Sequence, residues 1–276
     1  MPRIFDFGGR EVERSITVAG LRALRQAGQR VAQVTAETAD EASAAEAAGV
    51  EMVVCRAANV ARVREGSRRV FVTAALGFAD AVTGDEVLRT AFSAIMSGAD
   101  AVITGRGFDT VRMLANERIP VMGHLGFVPR KSTWVGSIRA VGKTTAEAVE
   151  LWDQFRRLED AGAFAVECEI IPADLMAEIH RRTALVTVSL GSGAEADVIF
   201  LFTSDICGES ARLPRHARAW GNLAALHKQV RDARTDALSA FRGEVDGGSY
   251  PGKAETSAIA EEELERFRAF LDSSKQ

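Results

Sequence analysis

Eight short apolar segments, separated by stretches with helical periodicity, constrain the fold of this 276-residue chain more than any other sequence feature. β-Branched runs alternating with longer Ala-, Glu- and Arg-rich stretches are typical of parallel strands joined by crossover helices. This order predicts an α/β fold, a (β/α)8 TIM barrel with additional C-terminal helices, rather than an open doubly wound sheet. The predicted strands are residues 30–36, 51–55, 69–74, 100–104, 120–125, 164–170, 184–190 and 197–202.

The stretches between these strands have apolar residues three and four positions apart, as amphipathic helices do. Thr83, Thr144 and Asp109 lie where helices are predicted to begin, and short polar side chains are favoured at such positions. The predicted crossover helices are residues 39–49, 84–98, 108–118, 144–162 and 172–182.

Three regions are predicted along the chain. Residues 1–14 form an N-terminal arm, residues 15–245 form the barrel, and residues 246–276 form a C-terminal linker and helix. The last helix has Leu264, Phe267 and Leu271 on one side, so we expect it to pack on the barrel or on a neighbouring subunit.

Composition excludes several classes of function. With 34 basic and 38 acidic residues, the formal net charge of −4 gives no overall positive field, so nucleic acid is not an expected partner. No apolar run approaches the ~18 residues of a membrane span, and the N-terminal residues lack the apolar core of a secretory signal. Three scattered cysteines without a CxxC pair fit a reducing compartment, and we expect a cytoplasmic protein.

Titratable residues at predicted strand ends are the candidates for catalysis, because barrel enzymes place their reacting groups there. Glu167 and Glu169 lie two positions apart on one strand and therefore share a face. His124 lies between two glycines at another strand end. These residues are candidates for general acid/base chemistry. The alternatives are a satisfied structural histidine and buried, arginine-paired glutamates.

Arg56 and Arg106 each follow an apolar strand, and two converging guanidinium groups would bind a carboxylate or phosphate. The alternative is that both form surface salt bridges. Ser192 lies in a Gly-Ser-Gly turn that could hold a phosphate through backbone N–H groups, or could be a plain tight turn. We find no cluster of metal-ligating residues in the sequence.

Several longer motifs carry a resemblance to a known family. They are VTAETADEASAAEAAGVEMVV (34–54), SGADAV (97–102), IPVMGHLGFVP (119–129), LEDAGAFAVECEIIPADLMAEI (158–179), VSLGSGAEADVIFLFTSDICG (188–208) and GGSYPG (247–252). Together they resemble the ketopantoate hydroxymethyltransferases, which are 3-methyl-2-oxobutanoate hydroxymethyltransferases of the phosphoenolpyruvate mutase/isocitrate lyase superfamily.

The resemblance implies transfer of a hydroxymethyl group from methylenetetrahydrofolate to a small 2-oxo acid, with a magnesium ion stabilising the enolate. It places the acid/base role on Glu169 and a substrate-contacting role on His124. The remaining predicted substrate-binding residues are Arg56, Arg106, Ser192 and Glu167. The resemblance also implies a homo-oligomer.

The chain departs from the family pattern where that pattern binds the metal. The family's GDS triplet corresponds to Arg56-Ala57-Ala58, the aspartate of its DLPF motif to Ala75, and its KIEGG motif to residues 103–107, which lack the lysine and the glutamate. Losing three carboxylates removes the oxygen ligands of a hard divalent cation, so we do not expect magnesium at the family position.

Three functions remain open from the sequence. The first is an enzyme that makes or breaks a carbon–carbon bond beside a 2-oxo acid, with Glu169 as acid/base and guanidinium charge in place of the metal. The second is a catalytically silent relative that binds a carboxylate or acts as a scaffold. The third is a lyase of the phosphoenolpyruvate mutase/isocitrate lyase type.

Overall fold

The structure is a computed structural model that describes residues 3–274. The chain divides into two compact units, the first ending at Gly221 and the second beginning at Asn222. No helix within residues 3–274 combines the length and the apolar character that crossing a bilayer requires.

Eight parallel strands close into a barrel in the order β10-β3-β4-β5-β6-β7-β8-β9. Each coincides with a predicted apolar segment, so the predicted (β/α)8 fold is confirmed. The strands are short because each one runs along the barrel wall only once, from one end of the barrel to the other. They are β3 (Val31–Thr35), β4 (Met52–Arg56), β5 (Phe71–Ala75), β6 (Ala101–Ile103), β7 (Val121–Gly126), β8 (Ala165–Glu169), β9 (Val186–Leu190) and β10 (Val198–Leu201).

Nine helices of the first unit lie between or beside these strands. Thr83 and Thr144 cap two of them as predicted, whereas the helix at Phe108 has no side-chain cap and Asp109 lies in its first turn. Four of them, Val18–Gln26, Val60–Gly66, Ser132–Val135 and Thr203–Ile206, were not predicted. The helices are α1 (Val18–Gln26), α2 (Ala39–Ala47), α3 (Val60–Gly66), α4 (Gly84–Met96), α5 (Phe108–Asn116), α6 (Ser132–Val135), α7 (Thr145–Asp160), α8 (Ala173–His180) and α9 (Thr203–Ile206).

The N-terminal segment contains a two-stranded antiparallel ribbon. β1 (Ile4–Phe5) pairs with β2 (Glu11–Val12), and Asp6 accepts a hydrogen bond from the backbone of Arg10 across the turn. This ribbon lies within the predicted arm.

Alternation along the strands produces two buried apolar layers. One set of side chains, including Met52, Phe71 and Met122, fills the barrel interior. The other set, including Val53 and Val72, packs against the surrounding helices. Polar side chains also lie at the carboxyl ends of several strands, among them Thr35, Arg56 and Glu169, where the connecting loops begin.

The second unit contains α10 (Leu223–Asp246) and α11 (Glu261–Ser273). Neither helix has a buried residue, although both carry apolar side chains at helical spacing. The division at Gly221 differs from the predicted barrel end at residue 245. Docking of the C-terminal helix on the barrel or on a neighbouring subunit, and homo-oligomer formation, stay predictions.

Candidate active site

A cavity of about 440 Å³ opens at the carboxyl end of the barrel, and all eight strands contribute to its lining. We call it the mouth cavity. Its charged and polar side chains come from the ends of the strands and from two loops. They are Thr35, Glu37, Arg56, Thr104, His124, Arg130, Glu167 and Glu169. A polar site at this end of the barrel is where substrates of such folds bind.

His124, Glu167 and Glu169 meet on two neighbouring strands. In the register of β7 and β8, His124 is opposite Glu167 and Gly126 is opposite Glu169. His124 Nε2 lies 3.0 Å from a carboxylate oxygen of Glu169 and 3.8 Å from an oxygen of Glu167. Both glutamates are buried, with exposed fractions of 6% and 9%. The structure therefore brings together the two predicted catalytic residues and Glu167.

Burial and mutual charge set the protonation of this group. Burial raises the pKa of Glu167, and the negative charge of Glu169 raises it further, although the positive charge of His124 opposes both effects. Burial lowers the pKa of His124, but the hydrogen bond to Glu169 and the charges of both glutamates prevail, so its pKa is raised. The arrangement favours a protonated imidazole beside an acceptor carboxylate, which is suited to moving a proton.

Arg56 lies at the end of β4 and lines the mouth cavity. Its backbone N–H donates to Glu37, whose carboxylate also accepts from Asn59 Nδ2 at 2.7 Å. The guanidinium group is exposed and has no ion pair among residues 3–274. It is therefore available to a carboxylate in the cavity.

Arg106 does not join Arg56, so the predicted two-arginine clamp is corrected. Its Nη2 donates to the backbone carbonyls of Phe78, at 2.9 Å, and of Ala81, and its guanidinium lies 5.7 Å from the ring centre of Phe78. These contacts hold the loop after β5 and direct the side chain away from the mouth cavity, whose lining it does not enter. Arg130, which the sequence analysis missed, lines that cavity instead.

The predicted substrate-binding role of Ser192 is also corrected, because its hydroxyl bonds to backbone groups and does not line the mouth cavity. Its hydroxyl donates to the carbonyl of Cys168 at 2.7 Å and accepts from the N–H of Ile171 at 2.9 Å. The residue is fully buried and lines neither of the cavities described here. It therefore fixes the loop after β8, which carries Glu169 at its start.

The structure also corrects the expectation that no metal-ligating residues cluster. Donor atoms of His124, Glu167 and Glu169 all lie within 4.8 Å of one another and could hold an ion. The signal in the sequence was the Glu-x-Glu alternation of β8, but the pairing of β8 with the histidine strand was needed to see it. The resemblance assigns two of the family's metal-ligand positions to Ala57 and Ala75, which have no side-chain oxygen.

A second cavity, of about 430 Å³, adjoins the mouth cavity and shares Thr104, His124 and Val128 with it. We call it the lysine cavity, after Lys131. Burial of its ammonium end lowers the pKa of Lys131, although the side chain as a whole remains exposed. Lys131 was not predicted from the sequence. The only signal was the basic pair Arg130-Lys131 directly after the GHLGFVP motif.

The chain is similar in sequence to a known family of proteins. Residues 56–253 match the sequence profile of the ketopantoate hydroxymethyltransferase family. The chain is 31% identical to a 3-methyl-2-oxobutanoate hydroxymethyltransferase of Gluconacetobacter diazotrophicus, over 91% of this chain and 98% of that protein. It is 29% identical to the enzyme of the same name from Hyperthermus butylicus, over 96% and 97% of the two chains.

Among solved structures, a phosphonopyruvate hydrolase in complex with oxalate and magnesium is similar with a TM-score of 0.50. The identity is 14%, over 92% of this chain and 98% of that one. At this identity the likeness supports the barrel fold alone.

Proposed function

The chain belongs to the ketopantoate hydroxymethyltransferase family, and we propose that it enolises a small 2-oxo acid and makes or breaks a carbon–carbon bond beside the oxo group. We further propose that its substrate has diverged from that of its relatives and that it lacks the magnesium site that the resemblance implies. The observation that supports the chemistry is the 3.0 Å contact between His124 and Glu169 inside a polar cavity at the carboxyl end of the barrel.

Glu169 is the proposed base. Its carboxylate takes the proton from C3 of the 2-oxo acid, and the electrons of the C–H bond form the C2–C3 double bond of an enolate. Burial on β8 shields this carboxylate from water, and its hydrogen bond to His124 fixes its orientation. A proton acceptor within reach of a carbon acid typically contributes 10²–10⁴-fold to the rate.

His124 is the proposed partner of the developing enolate oxygen. Its raised pKa favours the protonated imidazole, in which a ring N–H is available to donate to the oxygen at C2. The enolate carbon then attacks the one-carbon electrophile, or the reverse step cleaves that bond. By resemblance, methylenetetrahydrofolate is the donor, so the C–N bond to its methylene carbon breaks, tetrahydrofolate leaves, and water supplies the hydroxyl oxygen.

Arg56 is the proposed anchor of the substrate carboxylate. Its guanidinium lies at a strand end in the mouth cavity and has no ion pair within residues 3–274. Arg130, in a loop that lines the same cavity, adds positive charge. A fixed guanidinium binds and orients a carboxylate well, but it polarises a 2-oxo group less than a metal does. This difference is the basis for expecting a diverged substrate.

The residues at the family's metal positions do not fit magnesium, which prefers oxygen ligands in octahedral geometry. Ala57 and Ala75 provide none. The cluster of His124, Glu167 and Glu169 offers one nitrogen and two oxygens, and burial favours the neutral form of Glu167. This donor set suits a transition metal better than magnesium.

The test is exchange of the C3 proton of 3-methyl-2-oxobutanoate in D₂O, followed by NMR, because it needs no one-carbon donor. We expect exchange with the wild type, at the same rate with magnesium and with EDTA, and a loss of at least about 100-fold in Glu169→Gln. Glu117→Gln, an exposed carboxylate that lines neither cavity, is the control and should retain the wild-type rate.

Other outcomes decide against the proposal. No exchange under any condition would contradict enolisation of this 2-oxo acid, and the same assay with pyruvate and 2-oxobutanoate would then separate a diverged substrate from a silent carboxylate-binding relative. Exchange that depends on magnesium would overturn the metal-free assignment while leaving the family chemistry intact.

A further inference from the structure

The lysine cavity carries an excess of positive charge. Four cationic side chains line it, against two carboxylates. The cations are Arg106, Lys131, Arg139 and Arg157, and the carboxylates are Glu147 and Glu150.

Only part of this charge is neutralised within the protein. Arg139 pairs with Glu147 at 2.8 Å, and Glu147 also accepts from the backbone N–H groups of Gly142 and Lys143. Glu150 accepts from Gln154 at 3.4 Å. Within residues 3–274, these bonds leave neither carboxylate paired with Lys131.

Arg106 and Lys131 are the uncompensated cations. Arg106 bonds only to carbonyl oxygens, which do not cancel its charge, and its buried Nε–H has no acceptor among the described residues. The ammonium of Lys131 has no hydrogen bond or ion pair within residues 3–274, and its surroundings desolvate it enough to lower its pKa. A partly desolvated charge without a partner is costly, and an anionic ligand would relieve that cost.

The position of the cavity connects it with the proposed chemistry. His124 and Thr104 line it as well as the mouth cavity, so a ligand there would lie beside the imidazole, opposite the 2-oxo acid. The volume of about 430 Å³ falls in the range of small-molecule sites. Trp134, which is 90% exposed, and Phe108 add aromatic surface to the lining.

We propose that the lysine cavity is a second oxyanion site, in which Lys131 and Arg106 bind the carboxylate or phosphate group of a ligand distinct from the 2-oxo acid. The role of that ligand as a co-substrate rests on the proposed function. Its binding does not.

The test is isothermal titration calorimetry with two probes, inorganic phosphate and succinate. We expect at least one probe to bind the wild type and to bind Lys131→Met about tenfold or more weakly, with Lys131→Arg retaining most of the affinity. Lys143→Met is the matched control, because this exposed lysine has its side chain outside both cavities. The probe that loses affinity identifies the preferred anionic group.

Two further measurements separate this site from the mouth cavity. Arg56→Met should leave the affinity for the probe unchanged, and saturating 3-methyl-2-oxobutanoate should not displace the probe. Equal affinity in the wild type and Lys131→Met, no binding of either probe, or competition with 3-methyl-2-oxobutanoate would each overturn the second site. Because these readouts are binding constants, failure of the exchange reaction would leave this test intact.

Discussion

His124 makes its shorter contact with Glu169, although the strand register places it opposite Glu167. The imidazole leans towards the carboxyl end of the barrel and thus joins the more accessible of the two glutamates. Glu167 remains one layer deeper, where burial favours its neutral form. Two carboxylates on one strand face therefore have different environments, and this difference separates a proton acceptor from a neutral neighbour.

His124→Asn should lower the C3 exchange rate by about 100-fold while preserving binding of the 2-oxo acid, because the variant loses the charged donor to the enolate oxygen. Exchange kinetics and calorimetry of 3-methyl-2-oxobutanoate measure the two effects. His227→Asn, in α10, is the control, since His227 lines neither cavity. Unchanged exchange in His124→Asn would remove the histidine from the mechanism.

Divalent cations give a second prediction. Magnesium should not bind tightly, because two of the positions that the resemblance assigns to metal-binding carboxylates are Ala57 and Ala75. Metal analysis of the purified protein and titration with magnesium and manganese measure this. If manganese binds and Glu167→Gln and His124→Asn both abolish binding, the three-residue cluster is a metal site, and the acid/base role of Glu169 must be reconsidered.

The buried carboxyl group of Glu167 should make the stability of the folded protein depend on pH. Its pKa is raised in the folded protein above the ordinary value of 4.5, so the folded state binds this proton more tightly than the unfolded chain does. The wild type should then lose stability as the pH rises above 4.5, by at most about 1.4 kcal/mol per pH unit. Glu167→Gln lacks this loss, so its stability relative to the wild type should increase between pH 5 and pH 8 in urea unfolding. A pH-independent difference would contradict the raised pKa.

Thiol reactivity distinguishes the three cysteines. Burial raises the pKa of Cys55 to about 12, and Cys168 is also buried with a raised pKa, so both stay as unreactive thiols at pH 8. Cys207 is partly exposed. We expect one rapidly labelled thiol per native chain with Ellman's reagent and none in Cys207→Ser. Rapid labelling in that variant would show that the barrel opens around Cys55 or Cys168.

Two glycines with the same backbone conformation allow the cost of a positive φ to be distinguished from the cost of steric contact. Gly126 and Gly136 have φ of +84° and +85°. A Cβ on Gly126 would lie 2.3 Å from the carbonyl oxygen of Glu169, whereas a Cβ on Gly136 would meet nothing within 4 Å. Both alanine variants carry the cost of positive φ. The free energy of unfolding of Gly126→Ala should nevertheless be about 2 kcal/mol lower than that of Gly136→Ala. It should also slow C3 exchange, since Glu169 must move. Equal stabilities would show that the strands adjust without cost.

The strands were predictable because each is a short apolar run, and the parity of side chains along such a run correctly placed Glu167 and Glu169 on one face. Their meeting with His124 depends on which strands are neighbours and in which register. The closed barrel order supplies that information, so a single segment of sequence cannot show the three-residue cluster.

Loop residues were less predictable for a different reason. Arg106 and Ser192 are polar residues after strands, as substrate-binding residues are, but backbone carbonyls of neighbouring loops satisfy their donors. Which carbonyls lie within reach is decided by the loop conformation and not by residue type. The same reasoning explains why Lys131 was missed, since its significance depends on the absence of a partner among the described residues.

The shared wall of the two cavities has a thermodynamic consequence. Because His124 and Thr104 face both, a ligand that changes the charge or rotamer of either residue changes the affinity at the other side. Linkage requires this effect to be reciprocal, so each ligand must alter the binding of the other by the same factor. The imidazole between the two cavities would thereby make the occupancy of each cavity depend on the occupancy of the other.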